Sequence, residues 1–369
     1  NTLQTSERVI EISMRLEEPE IALGIYLVRS QASFRLGRVE EAIARQRDGL
    51  DLARTLKNRV EEGRSLTALG LILLESRQPA LAVEHMEQAV EIAREVGDRV
   101  LESRALGNLA NAAAYVLRDY ISAREYYKQA QKLAVELGDR FGEGVEKANI
   151  GWVTMLLGDY ETARAELEGA LSIAREVDHS YQEIYTLLNL SAVNEAQGNV
   201  EPSEQYAVQA MELSLERGDR SGEAWSYYYL GNALLGSGKL DEARSAFARA
   251  LQMRAEQNQP SLAKEPLAGL IRVALADHDH ALAIQYANEV MEYLANGGTL
   301  DGAEEPLRIY LACFDALKTK HDPRCDEILA VARDLLNAQA ARISVVSSRR
   351  RFIDNVPWRR EIMEHVAKM

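Results

Sequence analysis

Two short runs hold residue types that do chemistry in other proteins. Gly236-Ser-Gly238-Lys239-Leu240 sets a lysine behind glycines, as a phosphate loop does. It lacks the first glycine of G-x-x-x-x-G-K-[ST], and leucine stands where a hydroxyl would hold magnesium. Asp277-His278-Asp279-His280 offers metal-type donors, but no third ligand follows nearby and polar residues are ordinary in a turn. There is no H-E-x-x-H, no G-x-S-x-G and no paired zinc-type cysteines. The expectation is therefore a chain with no catalytic residue, no metal and no cofactor of its own.

Three columns of residues, each advancing by about 40 positions, suggest binding instead. One reads Asn108, Asn149, Asn189 and then Tyr229. A second reads Arg64, Arg104, Val145, Tyr185, Trp225, and a third Asn111, Trp152, Ala192, Asn232, Arg272. Amides both donate to and accept from a backbone, so stacked asparagines can follow an extended peptide without reading its side chains. With Tyr115 and Tyr228, the flanking columns describe an aromatic-lined groove with a basic end at Arg64 and Arg104, suited to a peptide or to a stacked sugar ring. The competing reading is structural: the asparagines brace neighbouring helices, and Trp152, Tyr185 and Trp225 are wedges in the core.

The same beat organises the whole chain. Small residues recur at Ala42, Ala82, Ala123, Ala163, Ser203, Ala243 and Ala283, and apolar ones at Ile12, Leu52, Ile92, Leu133, Ile173, Leu213, Met253 and Tyr293. Such self-similarity belongs to a repeat array in which each unit buries its apolar face on its neighbours. Within a unit, Val145, Ala148, Trp152, Met155 and Leu156 lie at helical spacing before Gly158-Asp159 breaks the helix. Tyr160 opens a second helix with its stripe at Ala163, Leu167, Ala170, Leu171 and Ala174. Between units, Gly97-Asp98, Gly138-Asp139 and Gly218-Asp219 pair a helix-ending glycine with an N-cap.

Asn149-Ile-Gly151, Gly158-Asp-Tyr160, Ala163 and Ala170, and again Leu230-Gly231, Gly238, Ala243, Phe247 and Ala250, resemble the tetratricopeptide repeat. The usual unit has 34 residues, and about six more lengthen the helices here. The resemblance implies an all-α, right-handed superhelical solenoid of about eight antiparallel helix pairs, closed by a C-terminal capping helix. It places first helices on the concave face, where asparagines of peptide-binding members hold their ligand. The implied groove is Arg64, Arg104, Asn108, Asn111, Tyr115, Asn149, Trp152, Tyr185, Asn189, Trp225, Tyr228, Tyr229, Asn232 and Arg272.

The expected organisation is the second helix of a truncated repeat at 1–17, seven helix pairs over 18–300, a divergent eighth pair at 301–341 and a cap at 342–369. The truncation rests on Ile10-Glu-Ile12-Ser-Met-Arg-Leu16, which aligns at an offset of 80 with a second helix, Val90-Glu-Ile92-Ala-Arg-Glu-Val96. Phe352-Ile-Asp-Asn355-Val-Pro357-Trp358 resembles the closing segment of bacterial signal-transduction ATPases that carry such repeats, the class of the maltose-regulon activator. That resemblance implies a sensor domain taking a peptide, protein or small-molecule inducer and controlling upstream ATPase domains of the same parent chain. The alternatives are a constitutive scaffold and, resting on the aromatics alone, a carbohydrate-binding array.

Charge and composition limit the partners. The 43 Lys and Arg against 57 Asp and Glu leave a net charge of −14, unsuited to gripping nucleic acid or an anionic membrane. The cluster Arg349, Arg350, Arg351, Arg359 and Arg360 reads as surface arginines pairing with an acidic body. Only Cys313 and Cys325 could form a disulfide, and no run of about 18 apolar residues occurs, so a reducing, cytoplasmic setting is expected.

Overall fold

A computed structural model describes residues 8–9, 12–13, 19–76 and 78–368. The segment read as half of a truncated repeat lies almost wholly outside these residues. Among the described residues every regular element is helical, and none is long and apolar enough to cross a membrane.

The helices come in consecutive pairs: α1 (Pro19–Arg35) with α2 (Val39–Thr55), α3 (Arg59–Glu75) with α4 (Pro79–Val96), and α5 (Arg99–Asn111) with α6 (Tyr120–Leu137). Then follow α7 (Arg140–Leu156) and α8 (Tyr160–Glu176), α9 (Ser180–Ala196) and α10 (Val200–Arg217), and α11 (Arg220–Gly236) and α12 (Leu240–Glu256). The last pairs are α13 (Lys264–Ala276) with α14 (His280–Ala295) and α15 (Pro306–Lys318) with α16 (Cys325–Ala341). Two short helices finish the chain, α17 (Val346–Asp354) and α18 (Pro357–Val366). A π-helical turn, Ala112–Val116, extends α5. The chain forms two compact units, residues 1–146 and 147–369.

The repeat boundaries are built as the glycines and aspartates imply. Gly97, Gly138 and Gly218 have φ of 72°, 69° and 69°, a left-handed turn that glycine enters without a Cβ clash. Asp98, Asp139 and Asp219 then accept the backbone N–H of Leu101, Gly142 and Gly222 at 2.9, 2.9 and 3.0 Å. The small column Ala42, Ala82, Ala123, Ala163, Ser203, Ala243 and Ala283 is fully closed to solvent.

Opposite this column a second size rule operates. A Cβ added at Gly70, Gly151 or Gly231 would lie 2.8 Å from Met86, 2.6 Å from Leu167 or 2.7 Å from Phe247. Each glycine is the hole for a large side chain 16 positions on. At the equivalent positions Ile271 and Ala287 the sizes are exchanged. Ser191, at the equivalent glycine position, instead meets Ser203 of the small column, and each hydroxyl donates to the other's carbonyl at 2.9 Å.

Successive repeats are stitched by arginine–glutamate pairs. Arg54 donates to Glu62 at 2.9 Å and Arg94 to Glu102 at 2.7 Å in the first unit, and Arg175 to Glu183 at 2.7 Å in the second. Burial alone would raise the Glu62 carboxyl, but Arg54 and Arg59 hold it below its usual range.

In the second unit the cap does more than cover the last pair. Pro357 begins α18 at its first turn and Phe352 is fully buried. The segment also reaches back to the turn between α7 and α8: Arg351 pairs with Asp159 at 2.6 Å, and the Asn355 amide donates to the Gly158 carbonyl at 2.9 Å. The surface expectation for the arginine cluster needs correction at one position. Arg350 and Arg360 are exposed, whereas Arg359 is buried, donating to the Leu156 carbonyl and to Glu305, both at 2.7 Å.

Candidate functional site

In the first unit the singled-out residues lie on the first helices α3 and α5 and on the π turn. Arg64 and Arg104 are exposed, with Arg64 paired to Glu61 one turn away. Asn108 is half-buried, Asn111 accepts a 2.6 Å hydrogen bond from the Tyr127 hydroxyl, and Tyr115 is 55% exposed. Burial pushes the Tyr127 hydroxyl far above its ordinary pKa, so it serves as a fixed donor.

In the second unit the chain's own later segments cover the face made by first helices. The Trp152 indole donates to Glu304 Oε1 at 3.0 Å, and the Tyr229 hydroxyl donates to Glu304 Oε2. One carboxylate from the loop before α15 thus joins α7 to α11. Trp358 donates to Glu305 at 3.0 Å, and Arg308 makes a paired contact with Glu195 at the end of α9. The Arg308 guanidinium also stacks 4.8 Å from the Trp358 ring.

The aromatics meet as a cluster. Trp225 lies 5.8 Å from Tyr228 and 6.1 Å from Tyr229, and buried Arg254 sits 4.4 Å over the Trp225 ring. Tyr185 instead packs on Tyr181, at 4.6 Å. Asn149 and Asn189 are half-buried on α7 and α9, while Asn232 is almost fully buried and accepts a 2.9 Å bond from Arg272. The structure therefore joins Trp152 to Tyr229 through Glu304, and Asn232 to Arg272 directly.

Buried charge is the second character of this site. Glu265 takes the backbone N–H of Glu304 and Glu305 at 2.8 and 3.2 Å, and its other carboxyl oxygen has no hydrogen-bond partner. Burial first, and then the charge of Glu304, push its pKa to about 8. Burial and the nearby Arg308 charge bring Arg272 down to about 10. For Glu195, burial works upward but Arg308 overcomes it, and the carboxyl stays below its usual range.

Two cavities result. One of about 30 Å³, room for a single water, lies among Tyr160, Tyr229, Glu265, Glu304, Arg308 and Trp358. The other, about 480 Å³, opens between α9, α11, α13, α15 and α18 and is lined by Asn232, Arg272, Arg308, Asp315, Trp358 and Glu361 among others. That volume is of small-ligand size, and its walls offer cationic, anionic, amide and aromatic groups.

Glu195, Glu265, Glu304, Glu305, Arg308, Trp358 and Arg359 build this site without standing among the groove residues expected from the columns. One signal was available: Glu265 falls 40 positions after Trp225, an acid continuing an aromatic column inside an apolar stretch. The other charged runs keep structural posts. Gly238 has φ of 73°, Lys239 pairs with Glu204 at 2.9 Å, Asp277 pairs with Arg244 at 2.6 Å, and Asp279 caps α14 through Leu282 at 3.0 Å.

The sequence profile of the tetratricopeptide repeat matches residues 23–95, 69–136 and 146–216, and a second profile of the same repeat matches 224–255. The chain belongs to the tetratricopeptide repeat family. No curated protein matches it by sequence. Among solved structures, this tetratricopeptide repeat chain is similar to the apo quorum sensor NprR from B. thuringiensis, at 15% identity and TM-score 0.62, over 91% of this chain and 94% of that one. It is similar to a signal transduction ATPase with numerous domains from Pyrococcus horikoshii, which carries a tetratricopeptide repeat sensor, at 14% identity and TM-score 0.60. That match covers 89% of this chain but 47% of the ATPase. A Rap protein complexed with competence and sporulation factor matches at 14% identity and TM-score 0.58, over 94% and 99% of the two chains. At these identities the likeness is one of fold.

Proposed function

We propose that this tetratricopeptide repeat chain is a non-catalytic sensor domain of a larger signal-transduction ATPase. It binds an inducer, peptide or protein segment on its first-helix face and thereby controls upstream domains. The observation that carries the reading is the 480 Å³ cavity, where Arg272 and Asn232 from the array face Trp358 and Glu361 from α18. A ligand held there touches the array and the terminal helix together, so it favours one placement of α18 and biases whatever α18 contacts. The sensor role printed for the Pyrococcus ATPase and the factor bound to the Rap protein support the class of function. The setting proposed is cytoplasmic, with no direct role on nucleic acid or membrane.

The second reading, a constitutive scaffold, draws on the asparagines at Asn108, Asn149 and Asn189. A thermal-shift screen of short peptides and charged metabolites against the wild-type chain and Arg272→Met separates the two. A sensor yields a compound that raises the wild-type melting temperature by several degrees and loses at least tenfold in affinity in Arg272→Met. If no compound depends on Arg272, while Asn149→Ala with Asn189→Ala abolishes capture of an extended peptide, the scaffold stands instead.

A further inference from the structure

The terminal helix meets the array through a second group of donors. Glu361 and His365 stand one turn apart on α18, and Asp315 faces them from α15. One ligand atom from each lies within 4.8 Å of the others. The His365 Nε2 is 3.8 Å from Asp315 Oδ1 and 3.8 Å from Glu361 Oε1, too far for a hydrogen bond to either. That nitrogen is closed to solvent and has no hydrogen-bond partner. The imidazole is held in this direction by the Phe314 ring, at 4.7 Å between centroids.

We propose that Asp315, Glu361 and His365 form a binding site for a divalent transition metal of the zinc class, which clamps α18 to α15. An imidazole with two carboxylates is a donor set such ions accept. Tetrahedral zinc with bonds near 2.1 Å holds its ligand atoms about 3.4 Å apart, so the two 3.8 Å separations need only a few tenths of an ångström. Glu361 is exposed and rotates freely to close the remaining gap. Asp315 and Glu361 also line the large cavity, which leaves the fourth position open to water.

Lys318 sets a condition on loading. Its ammonium lies 3.3 Å from His365 Nδ1, where it donates, so Nε2 carries the ring proton in the metal-free state. Coordination replaces that proton at Nε2 and requires one on Nδ1, so Lys318 must release the ring, and its exposed side chain has solvent to move into.

The test is calorimetric titration of the intact chain with zinc chloride at pH 7.5, with cobalt chloride as a spectroscopic probe. One equivalent is expected, with a tetrahedral cobalt spectrum. Glu361→Gln, an exposed position that leaves folding intact, and His365→Gln should each lower affinity at least tenfold, while Lys318→Ala raises it. His278→Ala with His280→Ala should change nothing. Absence of a stoichiometric site overturns the proposal, as does affinity unchanged in Glu361→Gln and His365→Gln or lost in the His278 and His280 variant. None of these readouts depends on an inducer, so they leave the sensor reading to its own test.

Discussion

A carboxyl group buried as deeply as Glu265 makes stability depend on pH in a direction opposite to that of most acids. The folded-state group titrates near 8 and the unfolded one near 4.5, so between those values the folded chain holds the extra proton. Stability therefore declines as pH rises through this window and levels off above it. Asp315, titrating near 7, adds a decline of the same sign at lower pH. Glu265→Gln keeps the oxygen that accepts from Glu304 and Glu305 and removes the ionisation. Denaturant titrations from pH 5 to 9 should show the variant gaining of the order of 3 kcal/mol on wild type by pH 9. Equal slopes for the two proteins would show that Glu265 ionises as an ordinary acid. Individual residues of this kind were the least legible in the sequence. Two 40-residue columns pick out Trp225 and Tyr229 separately, but the partner joining Tyr229 to Trp152 is Glu304, in a loop with no periodicity.

At the scale of helices the sequence was far more readable, because the fold repeats the same solution. Small residues every 40 positions mark where one helix lies against another, and glycine–aspartate pairs mark where helices stop and start. The pairing of hole and knob was legible only in part, since Ile271 and Ala287 reverse it. Phe247 shows how tight the arrangement is: a Cβ at Gly231 would come within 2.7 Å of its ring, and one at Gly269 within 2.4 Å. Gly231→Ala should cost about 1–3 kcal/mol by overpacking, with the loss recovered when Phe247→Leu is added. Additive losses in the double variant would mean that the two sites do not share a contact.

Across the molecule, the composition says little about the contacts that close the second unit on itself. The Asn-Val-Pro segment was readable as a terminal cap, whereas its bonds to Leu156, Gly158 and Asp159 join residues about 200 positions apart, where no local pattern points. Arg359→Met strips Glu305 of a buried partner and Leu156 of a donor, at a cost of about 3–5 kcal/mol. Hydrogen exchange should quicken in α17, α18 and the turn at Leu156–Tyr160, with α1 to α5 unchanged. Protection left intact at that turn would show that α18 is not what holds it. The same long-range bonds bear on biosynthesis. An ordinary repeat array matures behind the ribosome as each unit settles on the one before it. Here Trp152 and Leu156 leave the exit tunnel roughly 10 to 40 seconds before Trp358 and Arg359 at ordinary elongation rates. Through that interval the nascent chain carries an uncovered aromatic and apolar face, open to any chaperone that meets it.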